Sequence, residues 1–174
     1  MGDEQLSVHG TKDPELVSAA GRPLRVAAID GVVARSLNVV LTDNGALTEI
    51  WRRDWALDAG GVDQVFQRTL APGAVSAWHV HLQTTDRLFC ARGQILLVLY
   101  DARTASPTHG VVAEHRLGER RPAVVSVPAG VYHGVRALGA TEALIVNAVD
   151  RAYVYEDPDH WRVPIDSDEI PYRW

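Results

Sequence analysis

The sequence predicts an all-β domain, a sandwich or barrel of short strands. Turn signals such as Asp30-Gly31, Asn44-Gly45 and Pro72-Gly73 recur about every ten residues, a spacing typical of such folds. Several stretches between the turns alternate apolar and polar residues, as strands with one buried face do. No long stretch has the periodicity of an amphipathic helix.

Strands are expected in chain order between these turns. In the first half they fall at residues 25–29, 32–40, 46–51 and 62–70, followed by a hairpin over residues 73–93. Residues 94–101 form the most hydrophobic run and are expected to be a central strand. Four more short strands are predicted at residues 111–117, 123–127, 134–138 and 143–149. The tail, residues 157–174, is rich in proline and aromatic residues, and we expect it to lie across the domain as an extended lid.

Size and composition favour one globular domain. A chain of 174 residues suits a single core, so we expect an N-terminal arm at residues 1–21 and one domain at residues 22–174. The net charge of −5 excludes a strongly basic footprint, so neither nucleic acid nor an anionic membrane is an expected partner.

The single cysteine and the absence of a long apolar run indicate the compartment. Cys90 cannot form an internal disulfide and is predicted to be a small buried hydrophobic residue. No run approaches the ~18 apolar residues of a membrane span, and the N-terminus has no signal-peptide core. These features predict a cytoplasmic protein.

Histidines and one carboxylate form the most informative pattern. His79 and His81 are two residues apart, so on a strand both point to one face, while Trp78 points to the other. Asp86 follows a short turn, and a later Pro-x-Gly-x-x-His turn delivers His133. The pattern predicts that these imidazoles converge in a pocket. The alternative is a pair of solvated or hydrogen-bonded histidines on a sheet face.

This spacing resembles the paired motifs of the cupin superfamily. The matching residues are Gly73, then the two histidines at 79 and 81, Asp86 and Gly93, followed by the turn that ends at His133. The resemblance implies a double-stranded β-helix, that is, a jelly-roll barrel. It also implies a possible site for Fe, Mn, Ni, Zn or Cu, with the ligands His79, His81, Asp86 and His133.

The order of motifs also resembles the dTDP-4-dehydrorhamnose 3,5-epimerase family over residues 43–174. The specific parts are Asp-x-Arg-x-x-Ser-Pro-Thr-x-Gly at residues 101–110, Pro-x-Gly-x-x-His-Gly at residues 128–134, and the closing segment with Asp166. The resemblance implies a homodimer that binds a nucleotide-linked 4-keto-6-deoxy sugar and needs no cofactor. His81 would be the base that removes the proton beside the ketone, and Asp166 would orient it.

The chain departs from the family pattern around the base. Trp78 and His79 stand where the family has arginine and glycine, and the family's lysine falls at Asp86 or Arg87. The family's tyrosine acid falls near Asn147, so the proton donor would come from Tyr132, Tyr153 or Tyr155. The substrate-binding residues implied by the resemblance are Gln64, Trp78, Gln83, Arg103 and Asn147.

Three functions follow from these patterns. The first is an epimerase of the family just named. The second is a metal-dependent cupin enzyme acting as a dioxygenase, decarboxylase, lyase or cyclase. The third is a domain that binds a small ligand without catalysis. The other histidines are predicted to lie at the surface: His9, His109, His115 and His160. The arginine pairs at 52–53 and 120–121 are predicted to be solvated, with a diphosphate contact as the alternative.

Overall fold

The computed structural model describes residues 11–19 and 27–174. These residues form twelve β-strands and one short 3-10 helix at Arg53–Trp55. The strands, in chain order, are β1 Val33–Ser36, β2 Val39–Thr42, β3 Gly45–Thr48, β4 Gln64–Leu70, β5 Val75–Val80, β6 Asp86–Arg92, β7 Gln94–Asp101, β8 Val112–Gly118, β9 Ala123–Val127, β10 Val131–Leu138, β11 Ala143–Val149 and β12 Trp161–Arg162.

Two five-stranded antiparallel sheets pack against each other. The first has the strand order β1-β9-β6-β11-β4, and the second has the order β12-β5-β10-β7-β8. Strands β2 and β3 form a separate hairpin. The crossing of distant strands between two sheets is the jelly-roll arrangement, which confirms the predicted all-β fold. The two sheets stay distinct, so the sandwich does not close into a continuous barrel.

The main core lies between the two sheets. Apolar side chains at alternate positions of β6, β9 and β11 meet those of β7, β8 and β10, as the period-two pattern requires. In β7, residues 95–99 are all buried because its second face is also covered, and the strand lies between β10 and β8. Cys90 belongs to this core, and burial raises the pKa of its thiol to about 11, as expected of a buried hydrophobic residue.

Most of the predicted strands are present. The boundaries of β9 and β11 are those expected, whereas the predicted strand at residues 32–40 is split into β1 and β2. The split occurs at Leu37, whose side chain is buried and whose backbone N–H donates to the Pro122 carbonyl (2.9 Å). Of the predicted strand at 25–29, residues 27–29 are not in a strand and residues 25–26 lie outside the described part. The predicted arm at residues 1–21 also lies largely outside it and stays a prediction.

The C-terminal tail is not a lid over the core but an edge strand followed by an extended segment. Residues 161–162 form β12, which pairs with residues 79–80 of the second sheet. Ile170 and Trp174 then pack with Trp78 on the outer face of that sheet. We call residues 159–174 the C-terminal strap. Across the described residues, no helix is long and apolar enough to cross a bilayer.

The Asp-x-Arg-x-x-Ser-Pro-Thr segment forms a locked loop after β7. The fully buried carboxylate of Asp101 accepts hydrogen bonds from the guanidinium of Arg103 and from the hydroxyls of Ser106 (2.6 Å) and Thr108 (2.7 Å). Burial alone would raise the pKa of Asp101, but these donors outweigh it and hold the pKa well below its usual range. The motif is therefore structural in this chain.

Replacing this carboxylate is expected to destabilise the fold in a pH-dependent way. Asp101→Asn should lower the free energy of unfolding by about 2–3 kcal/mol at pH 7, because buried donors lose a charged acceptor. The pKa of Asp101 is depressed in the folded state. Its ionisation therefore stabilises the fold above the unfolded-state pKa of about 4, and this contribution is lost as the pH falls.

Urea unfolding at pH 7, 5, 4 and 3 would measure this effect. The difference in unfolding free energy between the wild type and Asp101→Asn should become smaller below about pH 4. Asp168→Asn, which removes an exposed carboxylate, serves as the control and should change the unfolding free energy little. Equal stability of Asp101→Asn and wild type at pH 7 would contradict the structural role.

Candidate active site

An open cavity of about 1050 Å³ lies between the two sheets. Its walls come from β4, β6 and β11 of the first sheet, from β5 and β10 of the second, and from the chain around residues 150–160. The volume is at the upper end of the range for small-molecule sites. The side chains of the predicted histidine motif line this cavity.

Three imidazoles converge as the sequence pattern indicated. His79 and His81 line the cavity, while Trp78 packs in the outer cluster. His133, on β10, is the register partner of His79 on β5, so the two distant motifs become neighbours. The ring centroid of His133 lies 5.8 Å from that of His79 and 5.5 Å from that of His81.

Asp86 faces two of these imidazoles. Its Oδ2 lies 3.3 Å from Nε2 of His81 and 3.6 Å from Nε2 of His133. Its Oδ1 accepts a hydrogen bond from Nδ2 of Asn147 (2.6 Å). The Asn147 amide is held in turn by the backbone N–H of Arg87, which donates to its Oδ1 (3.0 Å). The carboxylate is therefore buried but supplied with a donor.

The second ring nitrogen of His81 is bound by the C-terminal strap. Nδ1 of His81 donates to the backbone carbonyl of Asp159. The Asp159 carboxylate accepts from the backbone N–H groups of Leu82 (2.8 Å), Gln83 (2.9 Å) and Thr84 (3.0 Å), and from the Thr84 hydroxyl (2.9 Å). Burial would raise the pKa of Asp159, but these donors outweigh it and lower the pKa.

His79 belongs to a separate hydrogen-bonded chain. Its Nε2 bonds to the hydroxyl of Ser76 (2.9 Å), and its Nδ1 bonds to Nε2 of His160 (2.7 Å). Burial, together with the charges of the neighbouring His133 and Arg162, lowers the pKa of His79 to about 3. His79 is therefore neutral at physiological pH, and both its nitrogens have partners.

Burial also lowers the pKa of His133 and of His160, which both line the cavity. The effect on His133 is partly offset by the charge of Asp86, and in His160 it is reinforced by His81. The prediction that His160 is a surface residue is wrong, because the strap carries its ring to within 5.2 Å of the His81 ring. The same prediction fails for His115, which is buried in β8.

Four of the predicted site residues lie outside the cavity. Trp78 and Tyr132 lie in the apolar cluster on the outer face of the second sheet, because side chains alternate along a strand. Arg103 is engaged by Asp101 in the locked loop. Asp166 is exposed on the strap and does not line the cavity. Among the described residues, the groups that contact the nitrogens of His81 are Asp86 and the Asp159 carbonyl.

Other predicted residues do line the cavity. Gln64, Gln83 and Asn147 are among its lining residues. The phenols of Tyr153 and Tyr155 also border it, with ring centroids 5.3 Å apart. Substrate contacts by these side chains stay predictions.

Several cavity residues carried no signal in the sequence. Ser76 lies three residues before His79, yet both line the cavity, because the pairing of β5 with β10 shifts register between them. Arg68 and Arg151, rather than the predicted pairs at 52–53 and 120–121, are the arginines that border the cavity. Arg52 is instead paired with Glu49 and Asp54.

The chain is similar to known proteins of one family. The family model described as dTDP-4-dehydrorhamnose 3,5-epimerase matches residues 26–174. The chain is 37% identical over 147 residues to the probable low-salt glycan biosynthesis epimerase Agl13 of Haloferax volcanii, covering 84% of this chain and 94% of the relative. It is 34% identical over 146 residues to the spore coat polysaccharide biosynthesis protein SpsL of Bacillus subtilis, covering 84% and 96%.

Solved structures show the same fold. A dTDP sugar isomerase from Desulfovibrio desulfuricans superimposes with a TM-score of 0.78 at 28% identity, covering 84% of this chain and 92% of the other. A 4-keto-6-deoxy sugar epimerase of Streptomyces spheroides superimposes with a TM-score of 0.75 at 22% identity, covering 86% and 77%. The second likeness concerns the fold alone.

Proposed function

Because the chain belongs to the dTDP-4-dehydrorhamnose 3,5-epimerase family, an isomerase class, we propose that it epimerises a nucleotide-linked 4-keto-6-deoxy sugar with His81 as the base. One observation carries the assignment of the base. In the cavity, each ring nitrogen of His81 faces an oxygen that accepts hydrogen bonds, the Asp159 carbonyl at Nδ1 and the Asp86 carboxylate at Nε2.

This environment suits a base that removes a proton from carbon. Nδ1 donates to a carbonyl and so keeps its hydrogen, which leaves the lone pair on Nε2 when the ring is neutral. When Nε2 takes the proton beside the ketone, the electrons of the C–H bond move to the carbonyl oxygen as an enolate. The imidazolium that forms then donates to Asp86, which stabilises the charge. Return of a proton to the opposite face of that carbon inverts the centre.

The carboxylate partner of the base is Asp86 in this proposal, not Asp166. Asp86 is buried and its second oxygen is held by Asn147, so its position is fixed before the substrate arrives. Asn147 cannot serve as the proton donor, because an amide does not ionise near neutral pH. The phenols that line the cavity, Tyr153 and Tyr155, are the proposed source of the returning proton.

Exchange with solvent tests this function directly. The untagged wild-type protein is incubated in D₂O with a dTDP-linked 4-keto-6-deoxyhexose, and deuterium at the carbons beside the ketone is followed by NMR. We expect incorporation at one or both carbons, with inversion of configuration in the product. Tight binding without any incorporation would overturn the epimerase proposal in favour of a ligand-binding protein.

A metal-dependent reaction is a second candidate, favoured by one observation. The donor atoms of His81, Asp86 and His133 all lie within 4.8 Å of one another. Two imidazoles and a carboxylate suit a first-row divalent ion, which would polarise a carbonyl when bound. His79 does not fit the predicted ligand set, because Ser76 and His160 occupy its nitrogens.

Metal analysis separates the two candidates. Protein purified without a histidine tag and without chelators is analysed by mass spectrometry for first-row metals, alongside His133→Ala. Stoichiometric metal in the wild type that is lost in the variant would support the second candidate. Full exchange activity after dialysis against a chelator would exclude it.

The proposed enzyme is a homodimer. Apolar side chains are exposed on the β2–β3 hairpin and on β4, the edge strand of the first sheet. Leu41 of the hairpin is 82% exposed and Val65 of β4 is 60% exposed. Such an apolar edge favours a protein partner. Light scattering coupled to gel filtration should give twice the 19.0 kDa chain mass.

A further inference from the structure

Asp159, the first residue of the C-terminal strap, binds both the ring of His81 and the residues that follow it in the chain. The Asp159 carboxylate accepts four hydrogen bonds from residues 82–84, which directly follow the proposed base. The backbone carbonyl of the same residue accepts from Nδ1 of His81. One residue therefore holds both the ring and the chain segment that carries it.

These contacts select one tautomer of the His81 ring. A carbonyl oxygen only accepts, so Nδ1 keeps its hydrogen, and Nε2 is the nitrogen that binds and releases the exchanging proton and carries the lone pair when the ring is neutral. The other tautomer would set the Nδ1 lone pair against the carbonyl oxygen. Nε2 is also the nitrogen that faces Asp86 and the cavity.

The strap is held in place at two points that follow this contact. Immediately after Asp159, residues 161–162 pair with Val80 and His79 as β12. Further along, Ile170 is fully buried and Trp174 packs on Trp78, with ring centroids 5.0 Å apart. The strap is therefore anchored on the C-terminal side of Asp159, and the Asp159 carboxylate holds its first residue against residues 82–84.

We propose that Asp159 is the positioning residue of the active site, which sets the tautomer and orientation of His81 through its carbonyl while its carboxylate clamps the turn at residues 82–84. The inference rests on the proposed role of His81. It assigns the task of orienting the base to Asp159 at the start of the strap, whereas the family resemblance placed it on Asp166 of the same segment.

Asp159→Asn tests this role. The amide keeps the size of the side chain but presents N–H groups to backbone N–H donors, so the clamp loosens and the carbonyl moves away from His81. We expect kcat for deuterium incorporation to fall by about 10- to 100-fold with KM changed less than about twofold. Thr84→Val, which removes one donor to the clamp, should give a smaller fall in the same direction.

Imidazole nitrogen NMR provides a readout independent of activity. Protein labelled with ¹⁵N-histidine should show His81 with hydrogen on Nδ1 in the wild type and a mixture of tautomers in Asp159→Asn, with the His81 signals assigned by their loss in His81→Asn. Asp168→Asn, which removes an exposed carboxylate of the same strap, should leave both readouts unchanged.

The outcomes separate this inference from the proposed function. If Asp159→Asn keeps the wild-type tautomer and kcat, or if Asp166→Asn rather than Asp159→Asn changes them, the positioning role is overturned. If the wild type shows no exchange yet the tautomer shifts in Asp159→Asn, the positioning role stands and the epimerase proposal fails.

Discussion

The variant His81→Asn is expected to lose about 1000-fold in the rate of deuterium incorporation beside the ketone. Asparagine places its Nδ2 near the position of the imidazole Nδ1, so the hydrogen bond to the Asp159 carbonyl can be kept while Nε2 is removed. The loss of a positioned general base typically costs 100- to 10,000-fold. Because the ring is only partly buried and its backbone is unchanged, the melting temperature should stay close to that of the wild type.

His109→Asn is the matched control for this variant. It makes the same chemical change at an exposed loop residue outside the cavity, so its exchange rate should equal that of the wild type. Rates would be measured by NMR at saturating substrate. A His81→Asn variant that exchanges within threefold of the wild type would remove His81 from the mechanism.

The second large effect, on stability, is expected when a single methyl group is added at Gly134. This glycine lies in β10, and a Cβ there would meet the Cβ of Ala77 at 2.4 Å and Cζ2 of Trp174 at 2.5 Å. Its backbone angles suit any residue, so space alone requires glycine. Gly134→Ala should lower the free energy of unfolding by about 3 kcal/mol through overpacking. For a chain of this size, that corresponds to a fall of about 6–12 °C in melting temperature.

Gly61→Ala gives the comparison for this prediction. Its backbone is equally permissive, and a Cβ there meets nothing within 4 Å. Thermal and urea unfolding should show a large loss of stability in Gly134→Ala and almost none in Gly61→Ala. A Gly134→Ala protein within about 0.5 kcal/mol of the wild type would mean that the Trp174 end of the strap does not pack as described.

Local sequence patterns predicted most of the strands and the shared face of the paired histidines. Alternation with period two predicted that His79 and His81 share a face, because successive side chains of a strand point in opposite directions. Asp86, predicted to follow a short turn, also lines the cavity, at the start of β6. The regular turns likewise predicted β9 and β11 at their observed boundaries.

The rule failed where local geometry departs from it. Ser76 reaches the cavity although it lies an odd number of residues from His79, because the ladder between β5 and β10 shifts there. A register shift depends on the partner strand, which the pattern of a single strand does not contain. The position of Arg103 also depends on tertiary contacts, since its guanidinium donates to the buried Asp101 and holds the loop after β7.

The sequence by itself determined the all-β class, the shared face of the paired histidines and the turn that delivers His133, since each depends on neighbours in the chain. Only the tertiary structure decided which carboxylate faces the base and that Asp159 and His160 enter the site. The contacts of Asp159 and His160 join residues more than seventy positions apart. They form because the strap pairs with β5 and is packed on the outer sheet face, and a contact set by long-range packing leaves no periodic trace in the segment that makes it.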